Sequence, residues 1–183
     1  MAFGDHTLPL AEDFTHCART TSAAETQALG GAMAKLLGGG EIVLLYGNLG
    51  AGKTCLVQGI CAELVVEGDV VSPTFTLVNT HLGQLTVHHL DFYRIEPGHD
   101  LTDVGVPEIL DEIWDGDAIG LIEWPGPLVG ELGSGPRFEL LVETGEQPEE
   151  RVWYLRGLPG VPDSWLAVFS PKENSSPKGK SAC

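Results

Sequence analysis

Eight consecutive residues, Gly47, Asn48, Leu49, Gly50, Ala51, Gly52, Lys53 and Thr54, form the pattern GxxxxGKT, which is built to hold polyphosphate. The glycines let successive backbone N–H groups turn inward, and a helix starting behind them adds the positive end of its dipole. In that arrangement Lys53 bridges the β and γ phosphates of ATP and the Thr54 hydroxyl ligates Mg²⁺. Such chemistry also needs an acid near the metal, and two candidates end apolar runs: Asp91 in QLTVHHLD and Glu123 in AIGLIE. The chain holds 26 acidic residues, so a carboxylate at a strand end is common, and composition does not rank the two.

Other residues nearby invite a role. Ser72-Pro73-Thr74-Phe75-Thr76 is a hydroxyl-rich segment that reads equally as a γ-phosphate-sensing loop and as a turn before a strand. Trp124, directly after Glu123, is placed to stack on a base or partner or to join the core. His88 and His89 are adjacent on an expected strand and so point to opposite faces, which argues against a shared metal or acid–base role.

The elements that must position these residues follow from hydrophobic period. Ser22 caps an expected helix carrying Ala28, Leu29, Ala32, Met33, Leu36 and Leu37, and Gly38 to Gly40 stop it. Ile42 to Tyr46 is a continuous apolar run, as in a parallel strand covered on both faces, and it leads straight into the phosphate loop. The stretch from Cys55 to Val65 reads as the following helix. TFTLVNTH and QLTVHHLDFY read as paired strands about Gly83, HDLTDVGVPEILDEIWDGD as a region containing a helix, AIGLIEW as a strand, and RFELLVET with ERVWYLRG as a hairpin across GEQPEE. The expected fold is a three-layer α/β domain of the P-loop NTPase type, with a mainly parallel central sheet and antiparallel additions. Residues 19–170 make this single domain, after a loose leader at 1–18 and before a disordered Ser-, Pro- and Lys-rich tail at 171–183.

With 183 residues, 43% of them hydrophobic and 20% charged, the chain has the balance of one soluble globular domain. It shows neither a membrane span nor a signal peptide, which places it in the cytoplasm. Its formal charge is −16, and three of its ten basic residues, Lys172, Lys178 and Lys180, lie in the tail. Such a surface repels phosphodiester backbones, so direct nucleic-acid binding is disfavoured. Cys17, Cys55, Cys61 and Cys183 form no CxxC pair and read as free thiols in a reducing compartment.

GNLGAGKT, SPTFTLVN, HHLDFYR and LIEWP, in this order and spacing over residues 20–155, together resemble the bacterial TsaE (YjeE) family. The resemblance implies a small cytoplasmic ATPase needed for N6-threonylcarbamoyladenosine at position 37 of tRNA. It implies the TsaB and TsaD proteins as partners, TsaD performing the transfer and tRNA being met only through them. It places ATP phosphates on Leu49, Gly50, Ala51, Gly52, Lys53 and Thr54, and Mg²⁺ on Thr54 and Glu123, with Asp91 acting on the metal's water shell. Lys53, Asp91 and Glu123 are thereby the catalytic set. Thr74 matches a switch-like loop and Trp124 the tryptophan after the acid, while Ser22 and Arg151 match nucleotide contacts before the first helix and in the late hairpin. Asn48 stands where the family usually has Asp, and Cys55 where it often has Thr, without loss of a phosphate or metal ligand. Two rival readings of the loop are a small-molecule kinase, which seven basic residues in the body make hard to assemble, and an interaction module that binds nucleotide without hydrolysis.

Overall fold

Strand β2 (Ile42–Gly47) is apolar throughout because it runs through the middle of the sheet with both faces covered. The structure, a computed structural model, describes residues 8–96, 98–133, 137–157 and 167–171. In chain order it comprises β1 (His16–Thr20), α1 (Ala23–Ala34), β2, α2 (Lys53–Glu63), β3 (Val78–His81), β4 (Thr86–Asp91), α3 (Val106–Trp114), β5 (Ala118–Glu123), β6 (Arg137–Thr144), β7 (Arg151–Gly157) and β8 (Ser170–Pro171). They form one eight-stranded sheet in the order β3-β4-β5-β2-β6-β7-β1-β8. The four strands β4, β5, β2 and β6 are parallel, and the flanking pairings are antiparallel.

Alternation along the strands separates two cores. Val43, Leu45, Ile119, Leu121, Leu140 and Trp153 face α1 and α2, where Met33, Leu56 and Ile60 cover them. Ile42, Leu44, Leu90 and Ile122 face the other way, under α3 and the segment carrying Leu128 and Leu132. This gives the expected three layers around the parallel strands. Beyond β6, that second face is covered instead by Phe14, which packs with Cys17, Leu141, Val152 and Tyr154. There Glu139 is buried on β6 and accepts two hydrogen bonds from the Arg156 guanidinium, with Arg137 Nε 3.5 Å from its other oxygen.

Helices α1 and α2 approach closely because glycines face each other's backbone. A methyl group placed on Gly59 would run into the Gln27 carbonyl oxygen, and one on Gly30 into that of Leu56. Of the expected stripe, Met33 and Leu37 are buried and Leu29 and Leu36 pack against the core, while the close glycine contact brings Thr26, Gly30 and Ala34 onto the buried side as well.

Several expectations are corrected. Residues 16–18 are not leader: they start β1, which pairs with both β7 and β8. Helix α1 ends at Ala34, before the glycine run. Thr74 to Leu77 form a turn, and the strand begins at Val78. Cys55 and Cys61 are free, but Cys17 is disulfide-bonded. Pro171, expected to begin the tail, belongs instead to β8, and the first seven residues of the leader and the rest of the tail, 172–183, lie outside the described residues. Among the described residues, no helix is long and apolar enough to cross a membrane.

Candidate functional site

The carboxyl ends of β2, β4 and β5 lie side by side, and each delivers one part of the site. From β2 the chain turns through the glycine loop into α2, whose N-cap is Gly52 at φ 106°. An L side chain rarely adopts that backbone, so the loop reaches its helix only through glycine. Asp91 ends β4 and Glu123 ends β5, directly opposite each other in the parallel register. Both acids are therefore carried on the same face, toward the start of α2.

Thr54 Oγ1 donates to Glu123 Oε1 at 2.8 Å, closing the distance between the loop and β5. Asp91 Oδ2 accepts from Ser72 Oγ and, at 2.6 Å, from Thr74 Oγ1, while Asp91 Oδ1 accepts from the Tyr93 amide at 2.9 Å. Thus the turn containing Thr74 is fastened to Asp91. Asp91 and Glu123 are 2% and 4% exposed, and among the described residues neither lies within ion-pair distance of a lysine or arginine. Two buried carboxylates lined by hydroxyls, with a threonine hydroxyl whose lone pairs remain available, make a donor set suited to a hard divalent cation such as Mg²⁺.

Lys53 is 4% exposed. Its Nζ donates to the carbonyls of Gly47 at 2.8 Å and Asn48 at 3.0 Å, and lies 4.3 Å from the centre of the Trp124 ring. Burial lowers its pKa, and the charges of Glu123 and Asp91 oppose that shift. Trp124 adopts φ 54°, a left-handed conformation unusual for a bulky residue, and its ring also packs on Tyr93 with centroids 5.0 Å apart. It thus belongs to the wall behind the lysine. Within the loop, the Ala51 amide donates to the Asn48 carbonyl at 3.1 Å, and Leu49 is strongly exposed.

The remaining sequence candidates border this centre. Arg151 on β7 donates through Nε to the Ala51 carbonyl at 2.9 Å and through Nη1 to Pro148 and Glu150, so it braces the loop from outside. Ser22 accepts from the Glu25 amide as the N-cap of α1. The adjacent Ala23 carbonyl receives the Cys55 thiol of α2's first turn, which brings the two helix starts together. His88 and His89 point to opposite faces: His88 contacts Thr80 and Glu112, each at 3.0 Å, and His89 Nε2 lies 3.0 Å from Glu123 Oε1. Sequence reasoning set His89 aside, yet its position two residues before Asp91 on a strand places it on the acid's face.

The chain matches the family model described as Threonylcarbamoyl adenosine biosynthesis protein TsaE over residues 20–152. A Treponema pallidum protein named tRNA threonylcarbamoyladenosine biosynthesis protein TsaE is 38% identical over 61% of this chain and 79% of its own length. A Bacillus subtilis protein of the same name is 31% identical over 74% of this chain and 82% of its own. For a Synechocystis protein, again of that name, identity is 41%, and the match spans 55% of this chain and 64% of the relative. The crystal structure of Bacillus subtilis YdiB superposes with a TM-score of 0.65 at 23% identity, covering 90% of this chain and 94% of that one, which shows a shared fold.

Proposed function

We propose, from the premise that this chain belongs to the TsaE family, that it is the ATPase component for N6-threonylcarbamoyladenosine formation in tRNA. It works in the cytoplasm and supports turnover of a TsaB–TsaD assembly, meeting tRNA only through those partners. The observation that carries the reading is the Thr54–Glu123 hydrogen bond, which joins the phosphate loop to a buried acid at the carboxyl edge of the sheet. Ligands bind at that edge in open α/β sheets.

In this reading the loop from Leu49 to Thr54 cradles the ATP phosphates, and Lys53 exchanges the Gly47 and Asn48 carbonyls for β and γ phosphate oxygens. Thr54 and Glu123 would hold Mg²⁺, with Asp91 beside them, and the ion would supply charge neutralisation to the phosphates during hydrolysis. Thr74 links the neighbouring turn to Asp91, Trp124 backs Lys53, and Arg151 keeps the loop in shape. Ser22 lies at the rim, where the rest of the nucleotide extends.

The arginines explain why hydrolysis by the isolated chain should be slow. Arg19 pairs with Glu150, Arg137 and Arg156 with Glu139, and Arg151 with backbone carbonyls, while Arg94 stacks on Phe75 at 4.2 Å. No arginine is thereby committed to the transferred phosphate, and stimulation by the partner assembly is expected. The deciding experiment is tRNA threonylcarbamoylation by TsaB and TsaD with no third protein, with this chain, or with its Lys53→Ala variant. Only the intact chain should sustain repeated turnover; equal rates in all three reactions would remove the proposal. Labelled γ phosphate should appear as free phosphate, whereas transfer to an organic acceptor would restore the kinase reading.

A further inference from the structure

Among the described residues, His89 is fully buried, its ring centroid lies 6.4 Å from that of His81, and its one side-chain hydrogen-bond partner is Glu123 Oε1, at 3.0 Å from Nε2. Its Nδ1 is buried without a hydrogen-bond partner. An Nδ1–H tautomer would turn a bare lone pair toward a carboxylate, so the 3.0 Å contact assigns a proton to Nε2, which donates to Glu123 Oε1.

Glu123 Oε1 consequently receives two donors, Thr54 Oγ1 from α2 and His89 Nε2 from β4. A glutamate at the end of a strand has three side-chain torsions, and two donors from different elements fix where its carboxylate plane lies. We propose that His89 is a positioning residue that orients Glu123 for the divalent cation, and is neither a metal ligand nor a general base. This rests on the assignment of Thr54 and Glu123 to Mg²⁺ made above. Outer-shell donors of this kind typically change metal affinity by about 10- to 100-fold when removed.

The test uses the full chain with His89→Ala, His89→Gln and Glu123→Ala variants, and measures ADP binding by calorimetry with Mg²⁺ and with chelator. Glutamine keeps an N–H donor near the position of Nε2. In His89→Ala the Mg²⁺ concentration giving half-maximal enhancement of ADP binding should rise about 10-fold, with Mg²⁺-free affinity changed less than about twofold. His89→Gln should restore most of the difference. An unchanged Mg²⁺ dependence in His89→Ala, while Glu123→Ala loses it, would overturn the role of His89 alone. Unchanged dependence in both would overturn the metal assignment itself. A His89→Gln variant as impaired as His89→Ala would show that the ring acts by packing. If His89→Ala does not fold, ring-¹⁵N NMR of the unmodified chain decides: a proton on Nε2 sustains the proposal, and a ring protonated only at Nδ1 refutes it.

Discussion

Glu123 at the end of β5 and Glu139 in the middle of β6 are both acids sealed within one sheet, yet they are held in opposite ways. Glu139 receives the Arg156 guanidinium through two hydrogen bonds and has Arg137 beside it, so cations of the chain itself compensate its charge. Glu123 receives a hydroxyl and an imidazole, and Asp91 two hydroxyls and an amide. A buried carboxylate with fixed arginines is closed chemistry that shapes the fold. One with no arginine or lysine within ion-pair distance among the described residues keeps its oxygens for something that comes and goes.

The sharpest break of this contrast is Arg156→Ala, which leaves Glu139 buried with only the more distant Arg137. Removing one member of a buried pair costs about 3–5 kcal/mol, and partial exposure of Arg156 puts the expected loss near the lower end. Urea unfolding should show it, with Mg²⁺-dependent ADP binding of the folded protein unchanged. A shift in that binding would mean the two acid sites are coupled. Lys53→Ala should do the reverse: ATP affinity falls about 100-fold, equivalent to about 2.7 kcal/mol, while the melting temperature holds or rises because a buried ammonium has been removed. Calorimetry and a thermal melt read both, and a large drop in melting temperature would make Lys53 structural.

Finer cuts follow inside the site. Thr54→Ala should weaken nucleotide binding about tenfold with Mg²⁺ present, about 1.4 kcal/mol, and less than about twofold with chelator. Equal losses under both conditions would move Thr54 from the metal to the phosphates. Thr74→Val keeps the shape of the turn and deletes one hydrogen bond to Asp91. About 1 kcal/mol, or roughly a fivefold loss of partner-stimulated hydrolysis, is expected, with ADP affinity retained. A fall in ADP affinity instead would mean that the turn shapes the binding pocket.

Much of this was legible because local pattern and global placement agree. The apolar run before Gly47 could only be a covered strand, and the acids ending β4 and β5 lie at the edge where the phosphate loop emerges. What escaped depended on partners remote in sequence. Nothing near His89 announces Glu123, 34 residues away, and the alternation that put His88 and His89 on opposite faces also concealed that one of those faces was the site. β1 escaped because HCART alternates only weakly, and its pairing comes from β7, more than a hundred residues later. The part of α1's face made by Thr26 and Gly30 escaped because glycine carries no hydrophobic signal.

That glycine contact bears on how a saturation mutagenesis screen of this chain should be read. Gly59 touches no phosphate and no acid of the site, yet any side chain there collides with the backbone of α1. Loss of function at position 59 would look as severe as at Lys53, and a map of intolerant positions would draw the active site too large. Abundance separates them: variants at Gly59 should vanish from the soluble fraction, whereas Lys53 variants should accumulate there, folded and silent.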